Sequence, residues 1–339
     1  MRKKSATILP VRKIGPLSVS AIGLGCMNLS HAYDHRPDEK DATLLLNTAL
    51  DAGVTLLDTA AIYGGGANER LIGRAVSHRR HEFTLSSKCV MDLVDGKRRI
   101  DGRPEAITAS LERSLERLGT DHIDLFYMHR LDKTVPIEDS IGALVRAVEA
   151  GKIGAIGVSE MSSATIRRAH AVHPIAAVQS EYSAWVRNPD ISVLETCRAL
   201  RIGFVAFAPV ARGFLSGTLS RNDFPSGDIR LSMPRFQSPH FQRNLPLAQA
   251  FAALAAGAGI TPAQLALAWV LARGPHVVPI PGTRSVEHLR ENLFAATLRV
   301  SPEVLAGVDS IFLPGAVSGA RYQPMMQAQI DTELLPEEL

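Results

Sequence analysis

Residues 56–73 read LLDTAAIYGGGANERLIG, where an apolar run ends at the carboxylate of Asp58 and a tyrosine, Tyr63, follows five residues later. Three glycines then separate the tyrosine from a stretch whose apolar residues have helical spacing. A short apolar run, a loop and an amphipathic helix together make one βα unit. An acid and a phenol at the end of a buried strand are unusual, because polar groups are costly to bury without a partner.

The same alternation of short apolar runs and amphipathic stretches continues along the chain. The predicted strands cover 21–25, 54–58, 83–88, 123–129, 153–160, 176–182, 203–210 and 277–282. Eight βα units in 339 residues predict an α/β fold, a (β/α)8 TIM barrel, as a single domain over 1–339. A doubly wound sheet is the competing arrangement, but it usually has fewer strands and a phosphate-binding glycine loop after the first.

Three segments lie outside this alternation. Residues 11–20 contain Gly15-Pro16 between two short apolar runs, which predicts a β-hairpin that caps the barrel floor. Residues 211–246 are rich in Gly, Ser, Pro and Arg, and 314–339 form a tail. Long irregular segments in a compact domain are usually functional or disordered. We expect both to extend over the C-terminal face of the barrel.

Composition narrows the functional class. Apolar residues make up 46% of the chain and the formal net charge is +3, which argues against a nucleic-acid partner. No uninterrupted apolar run of about 18 residues occurs and no signal-peptide pattern is evident, so no membrane partner is expected. The three cysteines include no C-x-x-C pair, which favours free thiols in a reducing compartment, the cytoplasm.

Polar side chains stand at the ends of three consecutive predicted strands. Asp58 ends the second strand, with Tyr63 in the loop that follows, Lys88 ends the third and His129 the fourth. Each could be an ordinary turn, surface or core residue, but the C-terminal strand ends of a barrel meet at one rim. A buried lysine needs an acid partner, which Asp58 can supply.

This set of residues suits proton transfer to a carbonyl oxygen. We expect the Lys88 ammonium, held charged by Asp58, to lower the pKa of the Tyr63 phenol so that Tyr63 acts as general acid. A neutral His129 can donate a hydrogen bond to the same oxygen. The sequence has no H-E-x-x-H metal spacing and no G-x-S-x-G nucleophile motif, so no metal is expected and a hydride must come from a cofactor.

At this point the sequence resembles the aldo-keto reductase superfamily over nearly its whole length. The stretches that carry the resemblance include GLGCMN (23–28), GVTLLDTAAIYGGGANERLIGRAV (53–76), GVSE (157–160), EYS (181–183) and RGFLSG (212–217), typical of the microbial and plant branch. The resemblance implies a catalytic tetrad of Asp58, Tyr63, Lys88 and His129. It also implies reduction of an aldehyde or ketone with NADPH, with NADH possible as a second cofactor.

The resemblance further implies a set of cofactor contacts. They are Gly25, Met27, Asp58, Ser159, Glu160, Gln179, Phe207, Ala208, Pro209, Val210, Gly213, Leu215, Gly217, Gly282, Thr283, Arg284, His288, Glu291 and Asn292. Phe207 would stack on the nicotinamide, where many relatives carry tyrosine. Thr283 and Arg284 would bind the 2′-phosphate, while His288 stands where many NADPH-preferring members have arginine. The incomplete Gly23-x-Gly25 pattern is a poor match to the Rossmann fingerprint.

The substrate is a small carbonyl or alcohol compound that the sequence does not identify, and the oligomeric state is open. Expected pocket residues are Tyr33, Trp185, Phe241, Tyr322, Met325 and Met326. One rival hypothesis is a nicotinamide-nucleotide sensor or subunit with slow turnover. Another is an aldolase that uses Lys88 as a Schiff base, which requires a lysine of lowered pKa.

Overall fold

The computed structural model describes residues 9–33, 36–94, 96–335 and 338. Its strands are β1 (Val11–Ile14), β2 (Leu17–Ser20), β3 (Leu24–Gly25), β4 (Leu56–Asp58), β5 (Thr84–Cys89), β6 (Met91–Val94), β7 (Lys97–Ile100), β8 (Ile123–Met128), β9 (Ile153–Ser159), β10 (Ile175–Glu181), β11 (Gly203–Phe207) and β12 (Val277–Ile280). Its helices are α1 (Glu39–Asp51), α2 (Ala67–Val76), α3 (Pro104–Leu118), α4 (Ile137–Glu149), α5 (Ser163–Val172), α6 (Val193–Leu200), α7 (His240–Gly257), α8 (Pro262–Leu271), α9 (Val286–Phe294), α10 (Pro302–Ile311) and α11 (Pro324–Gln327).

Eight strands form one parallel sheet in the order β12-β11-β10-β9-β8-β5-β4-β3. The sheet closes on itself because the amides of Gly23 and Gly25 donate to the carbonyls of Pro279 and Pro281, at 3.0 and 3.2 Å. Helices surround this barrel, so the predicted (β/α)8 fold is confirmed. Several strands are shorter than predicted: the first covers two residues and the second begins at Leu56.

Strand periodicity decides which side chains enter the barrel. Leu56, Leu125, Val205 and Val278 share one buried interior cluster. Successive side chains on a strand point to opposite faces, so residues two positions further along share the interior face. Asp58 is two residues after Leu56, so its side chain also points into the barrel, closer to the C-terminal end. The polar residues at the C-terminal ends of the other strands point inward in the same way.

The hairpin predicted at 11–20 is present as the antiparallel pair β1–β2. Ile14 and Val19 are buried in the same interior cluster as the barrel side chains. Gly15 lies so close to β10 that an added Cβ would be 2.7 Å from the Cβ of Ala176. The hairpin therefore plugs the end of the barrel opposite the C-terminal strand ends.

The outer helices bury the apolar faces that the spacing of their hydrophobic residues predicted. Leu111, Leu115 and Leu118 of α3 are all buried against the sheet. This helix starts with a proline at its first position and ends at Gly119, whose φ of 65° suits a residue without a side chain.

Two regions differ from the sequence-based expectation. A second hairpin, β6–β7, follows β5 and was not predicted. The segment 211–246 is less irregular than expected, because it contains short 3-10 turns and its last residues already belong to α7, which begins at His240. Within the described residues, no single helix meets the length and apolarity of a membrane span; only α7 and α8 taken together, across a bend of 87°, do so.

Candidate active site

The four predicted catalytic side chains meet at the C-terminal end of the barrel. Lys88 Nζ donates to Asp58 Oδ1 at 2.5 Å and to the carbonyl of Thr59 at 2.7 Å, and it lies 3.4 Å from Tyr63 Oη. The ring of His129 packs edge-on against that of Tyr63, with centroids 5.9 Å apart. Three strand ends, those of β4, β5 and β8, therefore place an acid, an ammonium, a phenol and an imidazole in one contiguous group.

Asp58 is oriented from several sides. Its Oδ2 accepts hydrogen bonds from Ser86 Oγ at 2.7 Å and from Gln179 Nε2 at 2.8 Å. Ser86 stands two residues before Lys88 on β5, so both enter the barrel interior. The carboxylate is thus fixed beside the ammonium and is shielded from solvent.

Lys88 stays protonated in this setting. Burial lowers its pKa, but the charge of Asp58, followed by Tyr63, more than offsets that effect, so the pKa is raised above the ordinary value. A Schiff-base lysine needs the opposite shift. The direction found here disfavours the aldolase alternative.

The expected effect of Lys88 on the pKa of Tyr63 is present, but burial outweighs it. Burial raises the pKa of Tyr63, and the opposing influence of the Lys88 ammonium is smaller, so the net pKa lies above the ordinary value. The phenol is therefore fully protonated at neutral pH. Lys88 still acts in the expected direction, because its charge stabilises a phenolate once one forms.

His129 is a neutral imidazole at neutral pH. Burial lowers its pKa well below the ordinary value, and the nearby charges of Arg130, Lys88 and Arg98 act in the same direction. Its Nδ1 is buried without a hydrogen-bond partner among the described residues. A ring of this kind can offer an N–H to a ligand oxygen without carrying charge.

A cavity of about 490 Å³ opens above these residues, within the range of small-molecule sites. Most of the residues predicted for catalysis, cofactor and substrate line it. They are Gly25, Met27, Tyr33, Asp58, Tyr63, His129, Ser159, Gln179, Phe207, Ala208, Pro209, Val210, Gly213, Gly282, Thr283, Arg284, His288, Glu291, Asn292, Tyr322 and Met326. Within the described ranges, no group of three or more His, Cys, Asp or Glu side chains could hold a metal ion.

Two side-chain oxygen atoms in the cavity wall lack hydrogen-bond partners in the part of the chain that is described. Ser159 Oγ, at the end of β9, and Asn28 Oδ1 are both buried and unpaired. Buried polar atoms are nearly always hydrogen-bonded, so an unpaired pair in a cavity fits a polar ligand such as a carboxamide. Phe207 ends β11 and adds a flat ring to the same wall.

The loop after β11 has an unusual backbone. Ala208, Ala211, Arg212, Gly213 and Gly217 all have φ between 49° and 91°. Backbone turns of this kind can gather N–H groups into a concave anion site. The loop is thus suited to a phosphate, and α9, which begins just beyond Arg284, forms the far end of the cavity.

Three predicted cofactor contacts do not line the cavity. Glu160 has a left-handed φ of 53°, and its carboxylate accepts from the amide of Glu181 and pairs with Arg321 of the tail. Leu215 is buried in the hydrophobic core. Gly217 lies against Pro262, whose Cγ would be 2.8 Å from an added Cβ.

Three predicted pocket residues also lie elsewhere. Trp185 and Phe241 belong to a buried aromatic cluster built around Phe214, which packs on Trp185 with centroids 3.8 Å apart. Met325 is 75% exposed, whereas its neighbour Met326 lines the cavity. Successive residues of a helix point in different directions, so only one of the two methionines faces inward. Asp34 and His35, next to the expected wall residue Tyr33, lie outside the described residues.

The structure adds cavity residues that sequence reasoning missed. The unpredicted hairpin brings Met91 and Arg98 to the cavity, and the segment before α7 brings Arg230. Arg130 also lines the cavity, and the sequence could have predicted this because Arg130 directly follows His129. Arg212 pairs with Glu181 at 3.0 Å and donates to Tyr322 Oη at 3.1 Å, which ties the loop to the tail.

Comparison with known proteins identifies relatives of the whole chain. The family model of the aldo/keto reductase family matches residues 21–312. "Aldo-keto reductase yakc [NADP(+)]" of Schizosaccharomyces pombe is 42% identical, covering 97% of this chain and 99% of that protein.

Solved structures agree with this result. The glycerol dehydrogenase AKR11B4 from Gluconobacter oxydans matches with a TM-score of 0.82 at 28% identity, over 93% of this chain and 97% of that one. The aldo-keto reductase AKR11C1 from Bacillus halodurans matches with a TM-score of 0.76 at 25% identity, over 93% and 99%. With its barrel, its strand-end tetrad and these matches, the chain belongs to the aldo/keto reductase family.

Proposed function

We propose that the protein is an NADPH-dependent oxidoreductase that reduces an aldehyde or ketone to the alcohol and also catalyses the reverse reaction. The observation that carries the proposal is the buried chain Asp58–Lys88–Tyr63, with contacts of 2.5 and 3.4 Å, which ends in a cavity beside His129. The side chains supply protons and hydrogen bonds but no nucleophile. NADPH, when bound, supplies the hydride to the carbonyl carbon.

Tyr63 is the proposed proton donor. Its raised pKa keeps the phenol protonated, so it can give its proton to the carbonyl oxygen as negative charge develops there. The Lys88 ammonium then stabilises the phenolate that remains. In alcohol oxidation the same phenolate accepts the proton, which favours that direction at alkaline pH.

His129 and Asp58 are the proposed supporting groups. The neutral His129 ring donates a hydrogen bond to the same carbonyl oxygen and orients it toward Tyr63. Asp58 holds Lys88 charged and fixed, and Ser86 and Gln179 hold Asp58 in turn. Each group is preorganised, so little rearrangement accompanies proton transfer.

The wall of the cavity fits a dinucleotide. Ser159 and Asn28 offer unpaired oxygens for the carboxamide and Phe207 a face for the nicotinamide ring. The loop 208–217 suits the pyrophosphate. Thr283 and Arg284 line the cavity together with His288 and Asn292, and they are the proposed ligands of the 2′-phosphate. The bracketed NADP(+) in the yeast relative's name supports the choice of cofactor.

The proposal is tested by incubating the purified protein with NADPH or NADH and a panel of aldehydes, ketones and alcohols. Loss of reduced nicotinamide is followed together with formation of the alcohol. We expect continuous turnover of some carbonyls, faster with NADPH. A single burst of one hydride per protein followed by slow cofactor release would favour the sensor alternative. No hydride transfer to any carbonyl would refute the proposal.

A further inference from the structure

Besides Arg284, four arginines line the cavity. They are Arg98, Arg130, Arg212 and Arg230. Two are neutralised within the wall, since Arg212 pairs with Glu181 at 3.0 Å and Arg230 with Asp228 at 2.7 Å. Arg98 and Arg130 have no carboxylate oxygen within 4.0 Å among the described residues. The cavity therefore carries positive charge that its own wall leaves uncompensated.

Both unpaired charges are near His129, because each of them lowers the pKa of its imidazole. Arg130 follows His129 directly, and its Nη1 donates to the His129 carbonyl at 2.7 Å, which holds the side chain at the wall. Arg98 lies on β7 and is exposed at the edge of the cavity. The pKa of Arg98 is lowered by burial of part of the side chain and then by the charge of Arg130, so the two cations influence one another.

The cofactor does not account for these charges. The proposed pyrophosphate site is the loop after β11, which has the left-handed backbone, and the proposed 2′-phosphate site is at Arg284. In the ring of eight strands, β5, which leads into the hairpin with Arg98, stands opposite β11, and β8, which leads to Arg130, is adjacent to β5. The two arginines are thus on the far side of the barrel from the proposed phosphate sites.

We infer that the carbonyl substrate carries an anionic group, a carboxylate or a phosphate, which Arg98 and Arg130 bind while the carbonyl lies between Tyr63 and His129. This inference rests on the proposed function and narrows its substrate class. Guanidinium groups match the geometry of carboxylate and phosphate oxygens, and such charge-assisted contacts are stronger than neutral ones. A substrate of this kind would be oriented at one end by charge and at the other by hydrogen bonds.

The test compares kcat/KM with NADPH within two matched pairs: succinic semialdehyde against its methyl ester, and glycolaldehyde phosphate against glycolaldehyde. We expect the protein to favour the charged member of at least one pair by about tenfold or more. A preference confined to the first pair indicates a carboxylate, and one confined to the second a phosphate. Equal use of charged and neutral members would overturn the inference while the proposed function stands.

Variants assign the effect to the two arginines. Arg98→Gln and Arg130→Gln should each reduce the ratio of charged to neutral kcat/KM by about tenfold, whereas Arg98→Lys should keep most of it. Arg198→Gln is the control, because this exposed arginine of α6 does not line the cavity and, among the described residues, forms an ion pair with Glu195 alone; it should leave the ratio unchanged. An unchanged ratio in both glutamine variants would overturn the inference.

If the protein reduces no carbonyl, a binding measurement can still test whether Arg98 and Arg130 form an anion site. The lack of reduction would refute the proposed function, and calorimetric titration of succinic semialdehyde and glycolaldehyde phosphate into the protein with NADP+ would then decide the inference alone. Binding that is lost in the Arg98→Gln and Arg130→Gln variants supports an anion site. Binding that is absent, or equal in all variants, overturns it.

Discussion

Lys88 has no exposed surface, and its ammonium is held by Asp58, by the carbonyl of Thr59 and, at a longer distance, by Tyr63. Burying two charges is costly, and their mutual attraction offsets that cost only when both are present. The Asp58–Lys88 pair is therefore expected to matter for stability as well as for proton transfer. Predictions at the residue scale follow from the charges of Asp58, His129 and Arg284.

Asp58→Asn should reduce the free energy of unfolding by about 3–5 kcal/mol, because it leaves the Lys88 ammonium buried without its anion. Adding Lys88→Met to that variant should restore part of the loss, since no uncompensated charge then remains. Urea unfolding followed by circular dichroism measures both. If the single and double variants were equally unstable, the charge itself would not be the cause.

His129 should make stability fall in weak acid. Its folded pKa is well below the ordinary value near 6.5, so below about pH 6.5 the unfolded chain binds a proton that the folded protein does not. The free energy of unfolding should then fall by about 1.4 kcal/mol per pH unit from this residue, with no such effect above that pH. Urea titrations from about pH 7.5 to about pH 5 should show a shallower slope for His129→Asn.

Arg284→Ala should weaken binding of NADPH by about tenfold or more and change NADH affinity little, because only NADPH has a 2′-phosphate. Arg290→Ala is the control, since Arg290 is an exposed residue of α9, the helix that follows Arg284, and does not line the cavity. Fluorescence titration gives both dissociation constants. Equal weakening of both cofactors by Arg284→Ala would remove this residue from the 2′-phosphate site.

At the scale of secondary-structure elements, β9 shows how packing inside the barrel restricts which residue can occupy a strand position. An added Cβ on Gly157 would lie 2.3 Å from Cδ1 of Tyr127, so the glycine of this strand gives space to an aromatic side chain from β8. Tyr127 in turn fills the barrel below the site. The strand parity that brings Ser159 to the cavity is thus tied to the packing beneath it.

Gly157→Ala should reduce the free energy of unfolding by about 1–3 kcal/mol, because the ring of Tyr127 has to move in a packed core. Gly142→Ala is the matched control: it lies in α4, its added methyl would meet only the end of the Arg146 side chain at 3.9 Å, and helix propensity predicts stabilisation of up to about 1 kcal/mol. Thermal or urea unfolding distinguishes the two. A stable Gly157→Ala protein would show that the interior can rearrange.

The elements also show where sequence reasoning succeeds and where it stops. The barrel strands and the β1–β2 hairpin were predicted because apolar runs and the Gly15-Pro16 turn are local signals. The sequence between β6 and β7 contains an equally local hairpin signal, Asp95-Gly96. Trp185 and Phe241 were misplaced for a different reason: an aromatic residue suits a pocket wall and a buried cluster equally well.

On the scale of the whole molecule, contacts distant in sequence complete the site. Arg321 of the tail pairs with Glu160, while Tyr322 donates to Glu181 at 2.8 Å and accepts from Arg212. The tail is thereby held against the residue that follows β9, against β10 and against the loop proposed for the pyrophosphate. No local sequence pattern predicts such long-range ion pairs. Glu160 was therefore predicted to contact the cofactor and not Arg321. The raised pKa of Tyr63 likewise depends on burial by the assembled barrel.

The central claim is that Tyr63, activated by Lys88 on the neighbouring strand, donates the proton to the carbonyl oxygen. The most direct measurement is carbonyl reduction by Tyr63→Phe, together with its affinity for NADPH. Loss of one general acid should lower kcat by about 100-fold or more, while the dissociation constant for NADPH changes little. Near-normal turnover by Tyr63→Phe, or an equal loss of cofactor binding, would contradict the claim.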